Sequence, residues 1–77
     1  MMYTNSMQKA FRSISAPKNF SVEIIDNDHF LSVRANEMQF IKLDEFEKRR
    51  AVEYMAKVKK ALEDNGAIVL LVRESVK

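Results

Sequence analysis

The run DEFEKRRAVEYMAKVKKALEDNG, Asp44 to Gly66, constrains this chain more than any other part of it. Ala51, Tyr54, Met55, Val58, Ala61 and Leu62 recur at intervals of three and four, the spacing of one helix face. Asp44 is a good N-cap, and Glu47 completes an Asp-x-x-Glu capping box. Asn65-Gly66 supplies the stop, because glycine adopts the left-handed conformation freely. Glu45–Arg49, Arg49–Glu53, Glu53–Lys57, Lys59–Glu63 and Lys60–Asp64 stand four apart and carry opposite charges. A helix of about 20 residues is about 30 Å long. In a chain of 77 residues, that rod sets the length of whatever packs beneath it.

The segment before the helix reads as strands. With Asn27-Asp28 as a two-residue hairpin turn, Asp26 pairs with His29, Ile25 with Phe30 and Ile24 with Leu31. One face is then Phe20, Val22, Ile24, Leu31, Val33 and Ala35, wholly apolar. The other is Ser21, Glu23, Ile25, Phe30, Ser32 and Arg34, mostly polar, and a one-residue slip would mix the two. A second turn at Asn36-Glu37 leads into a third strand over 38–43. It adds Met38 and Phe40 to the apolar face and Ile41 and Leu43 to the other. After the helix, AIVLLVR is a final strand with apolar residues on both sides, so both of its faces need cover.

At the N-terminus, Met7, Ala10, Phe11 and Ile14 line one face of a short helix over about 6–14, with Thr4, Asn5 or Ser6 as cap. Pro17 ends it, because the residue before a proline is pushed out of the helical region. Such a helix needs a surface to pack on, and the alternative is a flexible arm. The expected fold class is α+β, one small domain ordered (α)-β-β-β-α-β. A three-stranded antiparallel meander is joined by a C-terminal strand parallel to the first, in sheet order 3-2-1-4. The long helix covers the apolar face. Residues 1–19 are the basic helix or arm, 20–73 the core and 74–77 a tail.

Composition narrows the function classes. The chain is 47% hydrophobic and 31% charged, with no cysteine, hence no disulfide, zinc-thiolate site or thiol nucleophile. That usage suits the cytoplasm. The longest apolar run, Ala67 to Val72, falls far short of the ~20 residues of a membrane helix, and the N-terminus lacks a signal-peptide h-region. One glycine excludes the usual phosphate-cradling loops. No serine sits in a glycine-flanked elbow, and the acids at the start of the long helix repel a phosphate. No catalytic set, cofactor or small-molecule substrate is expected.

Asp26, Asp28 and His29 invite a metal reading. Zinc wants about four ligands and calcium six or more oxygens. The Asp-x-Asp opening of a calcium loop is followed by Phe30 at the fifth place and Leu31 where glycine is needed. A tight turn accounts for these residues, and no metal is expected.

Two binding readings follow. Ile25, Phe30, Ile41 and Leu43 form a greasy end on the second sheet face, joined by Phe46, which stands off the helix's main apolar stripe. With the two-sided final strand, they point to a non-catalytic interaction or regulatory protein. It would work through a sheet face or edge, with a protein partner or as a homodimer. The alternative is a small nucleic-acid-binding regulator. Lys9, Arg12 and Lys18 precede the first acid of the chain, and Lys48, Arg49 and Arg50 follow on the long helix. The order helix, three strands, helix resembles the double-stranded-RNA-binding domain in outline. Here DEFEKRR stands where that family carries its basic cluster and a strand follows the helix, so the chain is not assigned to it.

Overall fold

The computed structural model describes residues 3–73. The elements, in chain order, are α1 (Asn5–Arg12), β1 (Val22–Asp26), β2 (Leu31–Ala35), α2 (Glu37–Ile41), α3 (Glu45–Asp64) and β3 (Val69–Arg73). The result is a small α+β domain with a three-stranded mixed sheet and one long helix. The expected tail, 74–77, lies outside the described residues.

Helix α3 begins and ends where its local chemistry dictates. The Asp44 carboxylate accepts from the Glu47 amide at 2.8 Å, and the Glu47 carboxylate accepts from the Asp44 amide at 3.0 Å. At the other end Gly66 sits at φ 95. The Gly66 amide donates to the Glu63 carbonyl at 3.0 Å and the Ala67 amide to the Leu62 carbonyl at 3.1 Å. These are the two bonds of a Schellman motif, and they satisfy carbonyls the helix would leave bare.

The hairpin keeps the expected faces but not the expected register. Val22 pairs with Ala35, Ile24 with Val33 and Asp26 with Leu31, two residues away from the predicted pairing. The turn centres on Asp28-His29 rather than Asn27-Asp28. Asp28 takes φ 68, and its amide donates to the Asp26 carboxylate at 2.9 Å. Asn27 then donates its amide to the Phe30 carbonyl at 3.0 Å, and its side-chain nitrogen donates to the Ser32 hydroxyl at 3.1 Å. Because a strand repeats every two residues, a two-residue shift leaves each side chain on its predicted face. Phe20 precedes the strand instead of joining it. Its buried ring stands edge-on to Phe40 and Tyr54, with centroids 6.1 and 6.3 Å away.

The expected third strand over 38–43 is not one. Asn36 caps α2, its side-chain oxygen accepting from the Gln39 amide at 3.1 Å. The period is therefore three, not two: Phe40 and Leu43 turn inward while Met38 and Ile41 stay exposed. The Gln39 side chain accepts from the amide and hydroxyl of Ser21 at 2.9 and 3.0 Å, tying α2 to the start of the hairpin. This local change overturns the sheet order. With 38–43 coiled, the far edge of β2 is open, and β3 takes it. It pairs with β2 in parallel, Leu31 opposite Val69 and Val33 opposite Leu71. The order is β1-β2-β3, not 3-2-1-4, and the final strand neighbours the second strand rather than the first. Central β2 is accordingly the best-buried strand, with Leu31, Val33 and Ala35 at 1% exposure or less.

Helices α1 and α3 lie on one face of this sheet. Ala51, Tyr54, Met55, Val58 and Leu62 of α3 bury against Leu31, Val33 and Val69. Helix α1 docks beside α3 through buried Met7, with Tyr3, Phe11 and Ile14 packed at the rim. Asp26, last residue of β1 on that face, accepts from the Tyr3 amide at 3.1 Å. Thus residues 3–14 are fixed along the helix layer, leaving the opposite face of the sheet without cover from α1.

Candidate interaction surface

The pairing registers place Ile25, Ser32, Leu70 and Val72 on the sheet face turned away from the helices, with Phe30 and Ile68 continuing it. Glu23 and Arg34 stand opposite each other at its far end. Ile25 and Phe30 are half-buried, and Ile68, Leu70 and Val72 are 64, 50 and 40% exposed. Ser32, the small residue among them, is buried, its hydroxyl held by Asn27. Leu71 is on the other side of β3, the helix side, yet it too is 47% exposed. Strand β3 is an edge strand, and α3 covers Val69 beside it but not Leu71. The segment Ile68–Val72 therefore presents apolar side chains to both sides of an open edge, with no charge or proline among them.

The five residues read as an interaction surface do not stay together. Ile25 and Phe30 are on the bare face, although Ile25 is opposite Ser32, not Phe30. Ile41 is exposed on α2, away from the sheet. Leu43 is buried in the core at 7% exposure, because the coil of α2 turns it inward, so it is not part of any surface. Phe46, 63% exposed in the first turn of α3, lies 5.4 Å from the Arg50 guanidinium carbon. The two-sided final strand that the sequence adds to this surface is present on it, with Ile68, Leu70, Leu71 and Val72 as its exposed apolar residues.

The basic residues are spread over the helix layer. Lys9 and Arg12 project from α1, with Arg12 donating to the Gln8 side chain at 3.4 Å. Lys18 is exposed in the following loop. Lys48 lies 6.0 Å above the Phe40 ring, and Arg49 and Arg50 are exposed. Lys59–Glu63 and Lys60–Asp64 close as ion pairs at 3.0 and 3.9 Å. A groove of about 550 Å³ separates the loop 13–17 from α3. Of Lys9, Arg12, Lys18, Lys48, Arg49 and Arg50, only Arg50 lines it, together with Glu53 and Lys57. Burial raises the pKa of the Tyr54 hydroxyl at its wall.

Asp26, Asp28 and His29 do not converge. The two Asp26 oxygens accept from the amides of Tyr3 and Asp28, which makes this carboxylate a clamp on backbone, and His29 is exposed at the turn. Among the described residues no three of His, Cys, Asp and Glu come together. No helix of the described residues is long and apolar enough to cross a membrane. No known protein family, curated protein or solved structure matches the chain.

Proposed function

We propose that this protein is a small non-catalytic interaction or regulatory module that works through its bare sheet face and the β3 edge, as a homodimer. The observation that carries this reading is the run Ile68–Val72, apolar on both sides of an open edge strand. Isolated exposed apolar residues are normal on a protein surface. A contiguous set continuing into Ile25 and Phe30 is the kind of patch that proteins use to bind one another. The cysteine-free composition suits work in the cytoplasm. Light scattering across a concentration series tests the reading: a mass that rises toward the dimer supports it. A monomer at every concentration, with no change on Leu70→Lys, refutes the homodimer.

The competing reading is a nucleic-acid-binding regulator. It is favoured by Lys9 and Arg12 of α1 lying on the same layer as Arg49 and Arg50 of α3. Phosphate contacts are strongest at low salt, so no affinity for DNA or RNA at about 50 mM salt removes it.

A further inference from the structure

The Leu31 amide donates to the Ile68 carbonyl at 2.8 Å, which fixes the direction of every backbone group in β3. Residues alternate along a strand, so 68, 70 and 72 turn their amides and carbonyls toward β2. Val69, Leu71 and Arg73 turn theirs outward, to an edge that no strand of the described residues occupies. The middle of the five-residue strand is Leu71.

An antiparallel copy placed about a two-fold axis through Leu71 meets these groups in register. Leu71 and its symmetry mate exchange both bonds, and Val69 and Arg73 do the same with their mates, about six bonds in all. On the helix side the two Leu71 side chains become neighbours. On the bare side Leu70 stands opposite the mate's Val72. Val52 is exposed on the flank of α3 opposite the groove that Arg50, Tyr54 and Lys57 line.

Resting on the interaction reading above, we infer that the partner of this edge is a second copy of the chain, paired β3 to β3 in antiparallel register about Leu71, to give one six-stranded sheet. Face-to-face stacking of two sheets covers Leu70 and Val72 but leaves Leu71 bare, because Leu71 is on the other side of the strand. Edge pairing reaches both sides at once. The segment 68–72 reads IVLLV, which carries no charge to select a partner of opposite sign, and about Leu71 it sets 70 against 72 and 69 against 73 of the mate. Two five-residue strands cover less than the ~800 Å² per partner of a standard interface, so the dimer belongs to the weak, reversible class, in the micromolar range.

The absence of cysteine makes the test clean. Leu71→Cys places the only thiol of each chain on the axis. Paired strands hold opposite Cα atoms about 5.5 Å apart, within disulfide reach. Under mild oxidation of the full chain, Leu71→Cys is expected to form the covalent dimer about tenfold faster than Leu70→Cys, whose mate across the axis is Val72. Leu71→Lys, a change at an already exposed position, is expected to keep the native circular dichroism and lose the dimer. If a dimer forms but Leu70→Cys links faster, the edge register is wrong while the homodimer stands. If light scattering gives a monomer up to about 1 mM, both fall.

Discussion

Gly66 separates the conformational cost of a substitution from its steric cost. It sits at φ 95, and a Cβ added there meets no atom within 4 Å. Gly66→Ala therefore loses no packing and creates no clash; what it meets is the backbone penalty of an L-residue at positive φ, about 1–2 kcal/mol. Against this, alanine restricts the unfolded chain and returns about 0.4–1 kcal/mol. The net expectation is a loss of about 1 kcal/mol. For a protein of this size, urea acts with a slope of about 1 kcal/mol per molar, so the unfolding midpoint should fall by about 1 M with the slope unchanged. D-alanine at the same position has the opposite handedness. It fits positive φ without strain and should raise stability by about 0.4–1 kcal/mol. If Gly66→Ala proves neutral, or if both stereoisomers act alike, the Schellman geometry does not govern the end of α3.

Three further outcomes follow from the packing. Asp26→Ala removes the acceptor shared by the Tyr3 and Asp28 amides, with an expected loss of about 2 kcal/mol. Hydrogen exchange should then speed up across Met7–Phe11 more than in the middle of α3; uniform acceleration would show that the carboxylate does not pin α1. Leu62→Ala empties a fully buried site and should lose about 3–4 kcal/mol by chemical denaturation, with a loss under 1 refuting its place at the centre of the core. Burial raises the pKa of Tyr54, and also of Tyr3, where Arg12 partly opposes it. The unfolded chain thus releases these protons first. The fold keeps full stability below the ordinary tyrosine value of 10.0 and loses it as pH climbs beyond that. Tyr54→Phe keeps the ring against Phe20 and should shrink the drop between about pH 9 and pH 11; an undiminished drop would assign it elsewhere.

What the sequence reveals here is what neighbouring residues settle between themselves. The Asp44–Glu47 box and the Asn65-Gly66 stop each lie within a single turn of chain, and both ends of α3 follow from them. The faces of the hairpin are legible because Val22, Ile24, Val33 and Ala35 alternate with polar residues. Its register is not, because a shift by two residues conserves the alternation, and the deciding bonds come from Asp26 and Asn27 side chains. MQFIKL is short enough to satisfy both periods, and the Asn36 cap tips it toward the helix. The sheet order then depends on that outcome, since α2 leaves β2 with an edge for β3. The surface was half legible for the same reason: Ile25 and Phe30 follow from alternation, whereas Leu43 followed a strand that is a helix. Whether Leu71 is covered depends on how far α3 overhangs the sheet, and no local pattern records that distance.

The parallel pairing of β2 with β3 also sets an order in time. Leu31 and Val69 lie roughly forty residues apart in the chain, so the central strand can be completed only after α2 and α3 have been made. Until then the hairpin carries its own open edge along β2, flanked by Leu31, Val33 and Ala35, the least exposed side chains of that strand in the finished fold. The final strand is therefore a lid on a more hazardous seam than the one it presents. A chain cut short of Val69 would not simply lack a docking edge; it would move the adhesive edge inward, from a strand that can pair reversibly to one that belongs in the core.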